Sequence, residues 1–72
     1  MTDVRKYAVV IEQAVNNYSV YVPDLPGCIS VGDTIEETER NIHDAIALYV
    51  DGLREEGQPV PAPSTVVEYV EA

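Results

Sequence analysis

Residues 34–57 read TIEETERNIHDAIALYVDGLREEG, and this stretch decides the fold. Projected at 100° per residue, Ile35, Ile42, Ala45, Ile46, Tyr49, Val50 and Leu53 fall within an arc of about 140°. Glu37, Asp44, Asp51 and Glu55 fall on the opposite side. A helix with one apolar stripe needs one surface to lie on, and its other side belongs to water. Asp33 or Thr34 can cap the start, and Thr34 with Glu37 has the spacing of a capping box. Gly57 supplies the residue expected just past the end. The spacing therefore predicts a surface helix from Ile35 to about Glu56.

The surface it needs lies upstream. Lys6 to Glu12 reads KYAVVIE, a β-branched and aromatic-rich strand. Asn16-Asn17 interrupts it, and Asn tolerates the positive φ of a turn. Tyr18 to Val22 alternates as a second strand, so the pair reads as an antiparallel hairpin. Pro23-Asp24-Leu25-Pro26-Gly27 then stops the chain, because two prolines remove donors and Gly27 supplies a turn position. Cys28 to Val31 resumes as a short third strand. Downstream, Pro59, Pro61 and Pro63 make an extended connector, and Thr65 to Val70, TVVEYV, reads as a fourth strand. The expected fold is α+β, in the order β-β-β-α-β, with a mostly antiparallel sheet and one helix packed on one face.

Seventy-two residues and 7.9 kDa make a single domain, residues 1–72. A chain this size hides only about 60% of its unfolded surface, close to the lower limit for folding alone. Thirteen acids against four bases give a net charge of −9. That balance disfavours a nucleic-acid backbone or an anionic membrane as partner, since both are bound by Lys and Arg. It suits a basic protein. One cysteine permits no intrachain disulfide, which fits a reducing compartment. The longest apolar runs, Ala8 to Ile11 and Ala45 to Val50, are far short of a membrane span. The expectation is a soluble, cytoplasmic chain with no membrane partner.

One helix covers one face of a sheet, yet these strands carry apolar residues on both. Tyr7, Val9 and Ile11 oppose Ala8 and Val10 in the first strand; Tyr21 opposes Val20 and Val22 in the second; Val67 and Tyr69 oppose Val66 and Val70 in the last. A half-solvated antiparallel sheet alternates with polar residues. A second apolar face on so small a chain marks an interface. The expected contact residues are Ala8, Val10, Tyr21, Val67 and Tyr69, with Leu48 on the helix edge, and the expected state is a homo-oligomer, a complex with a partner, or both.

No group of residues assembles an obvious catalytic centre. There is no Gly-rich phosphate loop or dinucleotide fingerprint. His43 and Cys28 are the sole histidine and cysteine and stand in different elements, so no metal or cofactor is expected. Cys28 has no nearby cation in sequence to activate it and reads as a buried structural residue. Asp24, Asp33 and Glu36 are the alternative: carboxylates that would hold Mg²⁺ for a nuclease. But residues 33–56 hold eight acids and two arginines, too few cations to receive a phosphodiester, and capping already accounts for acids in a first helical turn.

Several pieces taken together resemble the HicB-like antitoxins: Tyr21-Val22-Pro23-Asp24-Leu25-Pro26-Gly27-Cys28, Gly32-Asp33-Thr34-Ile35-Glu36-Glu37, Asn41-Ile42, Asp44-Ala45-Ile46, Gly52-Leu53 and Pro61-Ala62-Pro63-Ser64. The resemblance implies a partial ribonuclease-H-like fold. It also implies a non-enzymatic role, binding and blocking a small basic mRNA-cleaving toxin of the HicA type, commonly as a dimer or tetramer. The toxin contacts expected on this reading are Asp24, Leu25 and Pro26 in the loop, with Glu37 and Asp44 on the helix. An oligomeric scaffold without a toxin is a further alternative. Many family members continue into a DNA-binding domain. Here Ala72 follows soon after the expected fourth strand, so direct DNA binding by this chain is not expected. Thr38-Glu39 is a polar pair where the family pattern is more apolar, and weaker packing of the first helical turn is expected there.

Overall fold

The structure is a computed structural model, and it describes residues 5–72. Three strands, β1 (Val10–Gln13), β2 (Tyr18–Tyr21) and β3 (Ile29–Gly32), precede one helix, α1 (Ile35–Glu55). The sheet order is β1-β2-β3, antiparallel throughout. The α+β class with one helix on an antiparallel sheet is therefore as expected.

The hairpin closes through Ala14 N–H donating to Asn17 O at 2.8 Å. No residue other than glycine has positive φ among the described residues, so Asn16 and Asn17 make this turn without the left-handed conformation. β1 is shorter than the stretch 6–12 suggests. Its register ends where Val10 faces Tyr21: Val22 N–H turns to Cys28 O on the β3 side at 3.1 Å, and the next residue that would turn to β1 is Pro23, which has no N–H to donate. Residues 6–9 then have no strand to pair with, although Tyr7 and Val9 still pack on the core.

Both helix ends are capped locally. Thr34 Oγ1 accepts from Glu37 N–H at 3.0 Å, and Glu37 Oε1 accepts from Asp33 N–H at 3.0 Å, a reciprocal capping box. At the other end Gly57 takes φ 70°. Gly57 N–H donates to Arg54 O at 3.1 Å and Gln58 N–H to Leu53 O at 2.8 Å, the two bonds of a Schellman motif.

The core is Val20, Val22, Leu25, Cys28 and Ile42, with Tyr7, Val9, Ile11, Ala45, Ile46 and Tyr49 packed around it. It lies between the helix and one face of the sheet. Thr38 is fully buried beside it. Its hydroxyl donates to Thr34 O at 2.7 Å, so no polar atom is left unsatisfied. The first turn is therefore packed tightly, not weakly: a Cβ on Gly32 would stand 2.5 Å from Thr38 Oγ1 and 2.7 Å from its backbone nitrogen.

The expected fourth strand is a correction. Residues 65–70 join no strand of the sheet and are exposed. The connector is held at Arg5, whose guanidinium donates to Val60 O at 2.9 Å, and at Tyr7, whose hydroxyl donates to Pro61 O. It then reaches the β2–β3 loop. The molecule exposes 5719 Å², against roughly 4,400 Å² for a compact chain of this mass; the free tail contributes to that excess.

Candidate functional site

Three surfaces carry the residues singled out above. The first is the β2–β3 loop. Two tight turns shape it, with Leu25 N–H donating to Val22 O at 3.1 Å and Cys28 N–H to Leu25 O at 3.0 Å. Gly27, at φ 82°, supplies the left-handed third position of the second turn, after Pro26. The turns drive Leu25 into the core, where it is completely buried. Leu25 is therefore a packing residue and presents nothing to a partner. Pro26 is exposed, and its carbonyl accepts from Tyr49 Oη at 2.9 Å, which ties the loop to the helix.

Asp24 is occupied in a way its place in the loop does not foretell. Its carboxylate accepts from Ser64 N–H and Thr65 N–H at 3.0 and 3.1 Å, and from the Ser64 and Thr65 hydroxyls at 3.0 and 2.7 Å. These bonds, led by the Ser64 amide, hold its pKa down at about 2. The carboxylate is a clasp for the connector's end across 40 residues of sequence. The signal for it was the Ser64-Thr65 pair after the last proline, two hydroxyls able to share one carboxylate.

The second surface is the outward side of α1. Glu36, Asp44, Asp51 and Glu55 are exposed along it. Glu37 is half-buried and already serves the capping box. His43 Nδ1 lies 3.7 Å from Asp44 Oδ1, with both side chains in solvent. Leu48 projects from the helix, 74% exposed, apart from the apolar residues of the sheet.

The third surface is the side of the sheet away from the helix. Cross-strand register places Val10 opposite Tyr21 and Tyr21 opposite Ile29, with Val31 in the next row opposite Ser19. Tyr21, Ile29 and Val31 are exposed. The structure thus brings Val10 and Tyr21 together as read from sequence, with Ala8 half-buried just upstream. It adds Ile29 and Val31, which alternation against Cys28 and Ser30 would have revealed. Val67 and Tyr69 do not join this face; they stand on the tail, 54% and 95% exposed.

Among the described residues no group of three or more His, Cys, Asp or Glu is placed to hold a metal ion. Asp24 is engaged by the connector, while Asp33 and Glu36 flank the helix start. Cys28 is buried, and burial raises its thiol pKa. No helix among the described residues is long and apolar enough to cross a membrane.

Residues 7–72 match a family described as the HicB-like antitoxin of bacterial toxin–antitoxin systems. An uncharacterized 14.9 kDa protein of Haemophilus phage HP1 is 36% identical over 64 residues, which is 89% of this chain but 48% of the phage protein. The chain thus spans about half the length of that relative. A UPF0150 protein of Synechocystis is 43% identical over 63 residues, covering 86% of this chain and 80% of the relative. A chain of the solved HicA3 and HicB3 toxin–antitoxin complex superposes with a TM-score of 0.72 at 32% identity, over 83% of this chain and 70% of that one.

Proposed function

This chain belongs to the HicB-like antitoxin family of bacterial toxin–antitoxin systems, and we propose that it acts in the cytoplasm by covering a small basic mRNA-cleaving toxin of the HicA type. The observation that carries the reading is the net negative outer side of α1. Residues 33–56 hold eight acids and two arginines, and Asp44, Asp51 and Glu55 project into solvent. Such a face draws a basic protein toward it and sets its orientation, while the affinity itself comes from the contacts made on arrival. The fold likeness to a chain of a toxin–antitoxin complex supports the same reading.

Within this proposal Asp44 is a direct contact. Pro26, exposed on the β2–β3 loop, is a second contact. Glu37 contributes its charge while it caps the helix, and Asp24 contributes by shaping the loop and connector. Occlusion needs no reactive group on this chain, only a rigid acidic surface.

The test is charge reversal away from the cap. Asp44→Lys combined with Asp51→Lys should weaken binding to a HicA-type toxin by roughly three- to tenfold. It should also flatten the dependence of affinity on salt. Unchanged affinity together with an unchanged salt slope would remove α1 from the toxin interface.

A further inference from the structure

Two of the chain's four bases, Arg5 and Arg54, line one groove. The groove has a volume of about 290 Å³ and lies between the second half of α1 and the start of the connector. Tyr7, Ile46, Val50 and Val60, each half-buried, give it an apolar floor. Asp51 is the single acid along it. Two cations against one acid make this the locally positive spot of a chain whose net charge is −9.

The connector wall of the groove is held in place. Arg5 donates to Val60 O at 2.9 Å and the Tyr7 hydroxyl to Pro61 O, so the groove exists before anything enters it. Arg54 stands differently. Among the described residues its guanidinium makes no hydrogen bond or ion pair, not even with Asp51 one turn earlier. As the base of the last helical turn it complements the helix dipole, but that role uses only its charge. Its fork of N–H donors, which matches the two oxygens of a carboxylate, is unused. A few polar groups beside a concave apolar floor make the usual pattern of a small-molecule site.

We propose that this groove binds a small organic monocarboxylate with a compact apolar body, such as a single ring. The carboxylate pairs with Arg54, and the body lies over Tyr7, Ile46 and Val50. Arg5 adds its charge while its guanidinium stays on the connector. Size and charge both limit the ligand. Small-molecule pockets begin at about 300 Å³, so this one suits one ring with its carboxylate and is too small for a nucleotide. The local excess of one positive charge balances one carboxylate, and a second negative charge would meet Asp51.

The toxin plays no part in the test, which titrates the full ¹⁵N-labelled chain with benzoate at constant ionic strength. The amides of Ile46, Val50, Arg54 and Val60 should shift and saturate with a Kd on the order of 1 mM, the range open to so small a ligand. Benzamide and benzylamine carry the same ring without the negative charge and should bind at least about tenfold more weakly. Arg54→Gln should raise the Kd by roughly fivefold, and Arg54→Lys should recover part of that loss. Ala47 is exposed where it lines the groove, so Ala47→Glu should weaken binding severalfold by repulsion while Ala47→Gln stays near the parent. These positions are solvated, and circular dichroism checks that each variant folds. No saturable shift up to about 20 mM benzoate, shifts centred away from the groove, benzamide binding as well as benzoate, or an unchanged Kd in Arg54→Gln overturns the proposal. A short peptide with a free C-terminal phenylalanine that binds more tightly than benzoate would assign the groove to a protein terminus instead and overturn it equally.

Discussion

Gly32 and Thr38 meet where β3 runs into the helix, and their contact fixes how closely strand and helix approach. A methyl group at residue 32 would lie 2.7 Å from Thr38 N and 2.9 Å from its Cα. These are backbone atoms of the first helical turn, so no rotamer change relieves the clash. Gly32→Ala should therefore destabilise the fold by about 2–3 kcal/mol, as overpacking in a tight core does, read as a lowered urea midpoint with an unchanged slope. A midpoint within error of the parent would mean the helix start can slide away from β3 at no cost. This pair also shows what the sequence hides. Thr38 is polar and falls among acids, so it reads as a defect in the stripe. Its burial follows from a partner without a side chain in another element, and from a hydroxyl able to satisfy itself on Thr34 O at 2.7 Å. Leu25 is the converse: an apolar residue in a Pro-rich loop reads as a lure for a partner, and only the two turns around it decide that it points inward.

At the scale of elements, the helix and the hairpin were legible because their signals are local. Period, capping box and Gly57 all lie within one segment and agree. The segment 65–70 was legible only as β-prone, since alternation describes side chains and says nothing of which edge the backbone meets. What fixes the tail's start is the Asp24 clasp, a contact 40 residues apart. Its pH dependence has a definite sign. The carboxyl pKa is lowered in the folded chain from 3.8 to about 2. The clasp therefore contributes fully above about pH 4 and is lost as pH falls from there through about 2. In proton NMR spectra the Ser64 and Thr65 amides should stay protected above pH 4 and lose protection across that acid window. In Asp24→Asn, which cannot ionise, the two amides should show weaker protection with no such window. Protection in that variant equal to the parent's, with the same acid loss, would mean that another group holds the connector.

At the scale of the whole molecule, the charge of −9 acts in opposite directions on self-association and on the proposed toxin complex. Two copies of this chain repel at long range, whereas a basic toxin is attracted. The surfaces open to a second copy are apolar, with Tyr21, Ile29 and Val31 on one side and a tail bearing only Glu68 and Glu71 as charges on the other. Salt screens both fields, over about 10 Å at 0.1 M and about 3 Å at 1 M. Raising salt should therefore tighten a homodimer by relieving repulsion and by favouring apolar burial, while it loosens the toxin complex chiefly through slower encounter. Sedimentation of the chain alone and toxin binding by calorimetry, each followed from about 0.05 to 0.5 M salt, should give slopes of opposite sign. Slopes of the same sign would place charged contacts in the homodimer, or apolar contacts alone in the toxin complex. A toxin complex tightened by salt would move the toxin from the helix to the apolar sheet face.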